Sequence, residues 1–343
     1  MVEDYNPPAT LPSLSGAQRT PKKYLNSNVS KNQGSSSKKK VLIIIDSNSV
    51  IHRAYHALPP LTTKKGELVN AVYGFLLVFF KVIKEFRPEC IVACFDSPGP
   101  TLRHKKFKEY KAKRPPTAEE LKQQIPKVKE ILKVFNVPIF GKEGFEADDL
   151  IGTISKRALG IEKIIVSGDL DNLQLIDSST KAYILRKGVK DTILYDENLV
   201  KERFQGLSPK QIVDFKALRG DPSDNIPGIA GIGEKTAINL LREFGTVENL
   251  YNELEKKPEK IKSFTPKLKK IILKQKERAF LSKDLAGIKK DAPINFNLED
   301  CRWEGYDKMK AVKTLEDFDF YSLIGKIPGS EGEDLLRNNL KLW

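Results

Sequence analysis

The sequence predicts an α/β domain built on a mainly parallel sheet, followed by a smaller helical region. Short β-branched apolar runs at 41–45, 90–95 and 163–166 are separated by helix-like stretches. Runs of that length suit strands buried on both faces of a parallel sheet and joined by crossover helices. Beyond about residue 205, strand signals thin out and helical segments with lysine clusters take over.

In chain order, residues 1–40 come first. They are rich in Ser, Asn, Pro and Lys, carry seven basic residues against Glu3 and Asp4, and lack apolar periodicity. They read as a disordered basic tail. No apolar core follows the charges, so a secretory signal is excluded, while organellar targeting is left open. The apolar run 71–80 is too short to span a bilayer and leads into Lys81 and Lys84, which suits a buried helix. At 40% hydrophobic and 30% charged, the 343 residues can bury a core and do not describe a membrane protein. The net charge of +14 fits a polyanionic partner, first of all nucleic acid, or equally a soluble protein that is merely basic. Three cysteines without metal-ligand spacing argue against a disulfide scaffold and fit a reducing compartment. His52 and His56 stand four apart with no third ligand, which argues against a zinc site.

Each of the three apolar runs ends in an acid: Asp46, Asp96, and Asp169 with Asp171 two residues on. Ligands of open parallel sheets bind outside the carboxyl ends of the strands, so three strands ending alike suggest a site. Glu146, Asp148 and Asp149 open the next helical segment, and Asp221 and Asp224 lie in a turn-like stretch at 220–225. One such acid alone would be an ordinary cap or turn residue. Together the nine carboxylates would repel one another and raise each other's pKa unless cations offset the charge. Oxygen ligands without His or Cys favour Mg²⁺ or Mn²⁺. A pair of ions about 3.5–4 Å apart would serve phosphodiester hydrolysis.

Residues 101–114 carry seven basic residues against Glu109, with Phe107 and Tyr110 interleaved. Such a run by itself is as well explained by a solvated face. Beside an acidic site its basic groups could hold phosphates and its rings could stack on an unpaired base. The stretch 228–237 is neither a Walker A loop nor a dinucleotide fingerprint, because Glu234 and Thr236 occupy the wrong places. A glycine turn feeding a helix still presents free backbone N–H groups to a DNA phosphate. Lysine-rich helical sequence follows between Lys256 and Arg278.

The motifs Phe95-Asp96, Arg103-His104 with Tyr110-Lys111 and Arg114, Glu146 to Asp149, Ser167 to Asp171, Gly220 to Gly228, and Gly231 to Thr236 stand in this order. In that order they closely resemble the 5′ nuclease domain of bacterial DNA polymerase I, which is similar to the flap endonucleases. The resemblance runs from about Val41 to Pro328. It implies a PIN-like nuclease domain over 41–205, a helix–three-turn–helix DNA-binding region over 206–295, a segment 296–328 packing back on the nuclease domain, and a tail at 329–343. It implies a first metal cluster of Asp46, Asp96, Glu146 and Asp148. The second would be Asp169, Asp171 and Asp221, with Asp149 and Asp224 nearby. The ions would be two Mg²⁺ or Mn²⁺, with K⁺ at the duplex-binding turn. Lys111 and Arg114 match residues that contact the scissile phosphate, Arg103 matches another family base, and Gly231, Gly233, Lys235 and Thr236 match the duplex-binding turn, with Tyr110 also on the DNA. Ser47, Leu102, Phe107 and Leu170 depart from the family pattern, none of them at a carboxylate.

The implied activity is Mg²⁺-dependent 5′→3′ exonuclease and flap endonuclease action on DNA, including RNA–DNA primers. The enzyme would be a monomer in the cytoplasm at the nucleoid, with a polymerase in trans. The short stretch after Pro328 implies a free-standing nuclease or a fragment. Two alternatives stand beside this reading: a non-catalytic DNA-binding replication scaffold, and an RNase of the same fold.

Overall fold

The structure, a computed structural model, describes residues 40–256 and 265–329. The basic tail read at 1–40 and the tail at 329–343 lie outside the described residues, apart from Lys40 and Gly329. Part of the lysine-rich stretch, 257–264, does so too.

The elements follow one another as β1 (Val41–Asp46), α1 (Ser47–Ala57), α2 (Asn70–Phe86), β2 (Cys90–Cys94), α3 (Leu102–Lys106), α4 (Glu119–Val134), β3 (Ile139–Phe140), α5 (Ala147–Arg157) and β4 (Glu162–Ser167). After a 3₁₀ turn at Leu170–Leu175 come β5 (Thr180–Leu185), β6 (Thr192–Tyr195), α6 (Glu197–Arg203), α7 (Ile212–Arg219), α8 (Glu234–Phe244), α9 (Val247–Lys256), α10 (Pro266–Lys274) and α11 (Lys276–Ala286). The described chain closes with α12 (Lys308–Asp317) and α13 (Tyr321–Ile324).

The six strands form one sheet in the order β3-β2-β1-β4-β5-β6, all parallel except the antiparallel β5–β6 pair. Side chains alternate across a strand, so β1 serves two cores. Leu42 and Ile44 join α5 and the helical region on one face, while Ile43 and Ile45 join α1, α2 and α4 on the other. This double burial explains why β1, β2 and β4 read as unbroken apolar runs. The sequence reading did not find β3, β5 and β6. The first is only two residues long, and the last is an edge strand whose side chains are mostly half-buried. Short or half-solvated strands give no continuous apolar signal, and β5 is buried but opens with Thr180 and Lys181, which break its apolar run.

The strand order reverses direction at β1, which has β2 on one side and β4 on the other. Such a switch point opens a crevice beyond the carboxyl ends of the strands. Register aligns those ends, since Asp46 pairs with Cys94 and Ile45 with Val166. The segment after α11 returns to the sheet, where the Trp303 N–H bonds the Glu89 carbonyl at 2.8 Å. Leu315, Phe320 and Leu323 then pack into the same core as Phe79 and Phe135.

One tight loop carries two of the acids. Gly220 and Gly228 both hold positive φ, 81° and 58°, and between them the Asp221 and Ile226 backbones exchange hydrogen bonds of 2.9 and 2.8 Å. A Cβ on Gly228 would press into the backbone of Arg219 and Gly220, which cannot yield as a flexible side chain would. Gly228→Ala should therefore destabilise the protein by about 1–3 kcal/mol. A thermal melt showing no loss would contradict this account of the loop.

Candidate active site

The carboxylates reach the crevice because the sequence puts them at element ends. Asp46 ends β1 and caps α1, accepting the Ser49 N–H at 3.2 Å and the Ser167 hydroxyl at 2.6 Å. Asp96, just past β2, accepts the Ala147 N–H at 2.8 Å at the start of α5. Glu146 caps that helix, and Asp148 in its first turn accepts from the Asn172 amide at 2.9 Å. Asp169 caps the 3₁₀ turn through the Asp171 N–H at 2.9 Å. Asp221 accepts the Ser223 N–H and hydroxyl at 2.9 and 2.6 Å. Helix N-termini favour negative charge, which is the local reason for acids at these positions.

Local caps do not neutralise the cluster. Burial pushes the Asp46 carboxyl up to about 7, aided by Asp96 and Asp169 and opposed by the Ser167 hydrogen bond. Asp148 is raised well above the carboxylate range by burial and by Asp46, Asp169 and Asp171. Burial also raises Asp171, among Asp169, Asp224 and Asp221, despite the ammonium of Lys216. These mutual effects place acids from β1, β2, α5, the 3₁₀ turn and the 220–228 loop in one field.

Four cations enter that field, one of them Arg103, whose guanidinium lies 3.7 Å from Glu146. Lys111 Nζ lies 2.8 Å from Glu146, Arg114 pairs with Asp224, and Lys216 bridges Asp171 and Asp221, 2.6 Å from the latter. Asp221 is the acid this helps most: burial would raise it, but Lys216 and Ser223 more than offset that and hold it at about 2. Lys111 has a left-handed backbone, φ 56°, fixed by its N–H on the Asp224 carbonyl at 2.9 Å. The neighbouring Asn225 amide bonds the Glu109 carbonyl at 2.7 Å, so the basic segment is pinned to the acidic loop. Among the described residues, no group of three carboxylates closes around a point that could hold an ion. Ammonium and guanidinium groups stand among them instead.

Three of the expected site residues are engaged inside the fold. Asp149, placed with the metal ligands, has both oxygens taken at 2.8 Å by the Arg103 guanidinium and is buried. Arg103, expected as a further family base, is also buried and donates to the Leu285 and Gly287 carbonyls at 2.9 and 2.8 Å, with Glu146 3.7 Å away. The two form a clamp that joins α3, α5 and the end of α11. Tyr110, expected on DNA, is only 3% exposed, and its hydroxyl donates to Glu146 and Asp224 at 3.2 Å each. Its ring is packed inside and cannot stack on a base. Elsewhere, Gly233 caps α8, and Gly231, Gly233 and Lys235 are exposed while Thr236 is half-buried. Sequence reasoning missed Ser167, Asn172 and Lys216. Lys216 precedes Asp221 by five residues near the end of a helix, a position indistinguishable from a solvated surface lysine.

Comparison with known proteins places this arrangement. A family model described as 5′-3′ exonuclease, N-terminal resolvase-like domain, matches residues 41–205. A second, 5′-3′ exonuclease, C-terminal SAM fold, matches 207–309. A 5′-3′ exonuclease of Aquifex aeolicus is 37% identical over 290 residues, which are 84% of this chain and 95% of that protein. This chain belongs to the 5′-3′ exonuclease family. DNA polymerase I of Bacillus caldotenax is 43% identical over 299 residues, 86% of this chain but 33% of that protein. The chain thus spans about a third of the length of the DNA polymerase I relatives it matches. Among solved structures, a bacteriophage T5 flap endonuclease in a pseudo-enzyme–product complex with DNA and metal ions aligns over 82% of this chain and all of its own. Its TM-score is 0.59 at 21% identity, a likeness of fold. The family's resolvase-like and SAM-type units correspond to the sheet domain and the helices after it. Among the described residues, no helix is long and apolar enough to cross a membrane.

Two neighbouring acids should respond oppositely to neutralisation. Asp149→Asn leaves Arg103 buried and half-paired, and should cost about 3–5 kcal/mol. Asp148→Asn removes a charge from a repelling cluster and should leave stability unchanged or raised. Chemical denaturation in EDTA distinguishes them, and equal effects would contradict the assigned roles.

Proposed function

We propose that this chain is a divalent-metal-dependent 5′→3′ exonuclease and flap endonuclease acting on DNA, cytoplasmic and working at the nucleoid as a monomer. The observation that carries the proposal is a partly buried field of acids at the carboxyl edge of a parallel sheet, under-neutralised and met by Lys111 and Arg114. Hard oxygen donors without histidine or cysteine fit Mg²⁺ or Mn²⁺. Asp46, Asp96, Glu146 and Asp148 would hold one ion. Asp169, Asp171 and Asp221 would hold another, with Asp224 beside them. Ions bound there supply the charge that makes a water acidic enough to attack and that neutralises the phosphate.

The chain's own groups do the rest. Lys111 and Arg114 exchange Glu146 and Asp224 for the non-bridging oxygens of the scissile phosphate, where fixed positive charge favours the transition state. Tyr110 holds Glu146 and Asp224 in place from behind. Lys216 lies close enough to Asp171 and Asp221 to balance their charge before metal arrives. The exposed turn at Gly231, Gly233 and Lys235, with Thr236, offers backbone N–H groups at the start of α8 to a duplex phosphate, with K⁺ alongside. Substrates are branched or nicked DNA with a 5′ flap, including RNA–DNA primers, beside a polymerase in trans. The T5 relative's complex with DNA and metal ions supports this reading through its shared fold.

A labelled 5′-flap duplex with Mg²⁺ tests it. Cleavage should be abolished by EDTA and reduced at least about a hundredfold in Asp169→Asn/Asp171→Asn and in Lys111→Ala. Wild-type cleavage by the double variant would refute the proposal.

A further inference from the structure

Away from the acids, a groove of about 870 Å³ is formed by the end of α2, the β5–β6 connection and the returning C-terminal segment. Its volume falls in the range of sites that take ligands. Phe80, Ile83, Val189, Trp303, Tyr306 and Ile327 give it an apolar, aromatic lining. Trp303 and Tyr306 stack with centroids 5.7 Å apart, and the indole N–H is fixed on the Phe135 carbonyl at 2.8 Å, so the aromatic wall is rigid.

The rim has a different character. Lys81, Lys84, Arg87, Lys190, Lys308 and Lys326 surround the groove, and Glu304 is the acid among its lining residues. Across the whole chain, basic residues outnumber acidic ones only 59 to 45, so the rim exceeds the background. Arg87, Lys190 and Lys326 are exposed and have no carboxylate partner among the described residues. None of the lining residues belongs to the acidic site. Arg87 and Pro88 lead into the start of β2, whereas Asp96 stands beyond its other end.

An apolar floor inside a ring of cations selects among polyanions. Duplex DNA presents phosphates and sugars on a convex surface and would leave the floor unfilled. A peptide carrying both acids and large apolar anchors satisfies both parts, with anchors in the central pocket and charges at the rim. We propose that this groove is a docking site for an acidic peptide segment with leucine or tryptophan anchors, contributed by a protein partner. The rim charges set the approach and the salt dependence, and the floor retains the bound segment.

The probe is a fluorescein-labelled twelve-residue peptide alternating Glu or Asp with Leu and Trp, titrated against the full chain and followed by anisotropy. Binding should be saturable, and weakened by raising salt from about 50 to 300 mM. The charge-reversed R87E/K190E/K326E variant should lose at least about tenfold in affinity, and R87Q/K190Q/K326Q should lose less. Both should keep the melting temperature and flap cleavage of the parent. A peptide with Ser in place of Leu and Trp should bind at least about tenfold more weakly. Four outcomes overturn the proposal: no saturable binding; equal binding of the serine peptide; equal binding by both variants; or loss of duplex-DNA binding matching the loss of peptide binding. Light scattering adds a fifth, since a dimer lost in R87E/K190E/K326E would assign the groove to a second copy of the chain.

Discussion

The constraint on which this structure depends is the confinement of like charge. Acids from five segments share one crevice, where burial first and like charge second raise the pKa values of Asp46, Asp148 and Asp171. Such a cluster cannot be stabilised by its own contacts. It persists because each acid is held by a backbone device that serves the fold anyway: a helix cap at Asp46, Glu146 and Asp169, and a turn at Asp221. The hydrophobic sheet beneath supplies the rigidity, and the acids accept the positions its strand ends impose.

The cations complete the arrangement without neutralising it. Lys111 and Arg114 come from a segment pinned by Asn225 and by the Lys111 N–H to the loop that carries Asp221 and Asp224. Movement of one therefore displaces the other. The Arg103–Asp149 clamp fixes the base of the same segment to α5 and to the end of α11, and Asp149 also accepts the Lys289 N–H at 2.8 Å. One buried ion pair thus joins the sheet domain, the basic segment and the helical region. Such a pair contributes less to net stability than to fixing a single arrangement, because its loss would leave a buried charge unpaired.

Much of this was legible in the sequence. Double burial made β1, β2 and β4 unbroken apolar runs, and the acid after each run marked the crevice edge. The glycine-rich stretch ahead of α8 was recognisable as a turn feeding a helix because glycine and the helix start are local signals. The spacing of Tyr110 among lysines resembles a nucleic-acid-binding face, and only the approach of Glu146 and Asp224 in the fold makes it an internal donor. Asp149 belongs with the other acids by residue type and Arg103 enters through the family resemblance, while their partnership spans 46 positions and is invisible in the sequence.

The sequence by itself determined the elements with strong local signals, β1, β2 and β4 and the glycine turn ahead of α8, and the chemistry available at their ends, since periodicity, capping and turn propensity act over a few residues. Tertiary structure alone decided which acids remain uncompensated. Charge compensation depends on partners brought close by folding, as with Lys216 between Asp171 and Asp221, and distance in space is not encoded by distance along the chain.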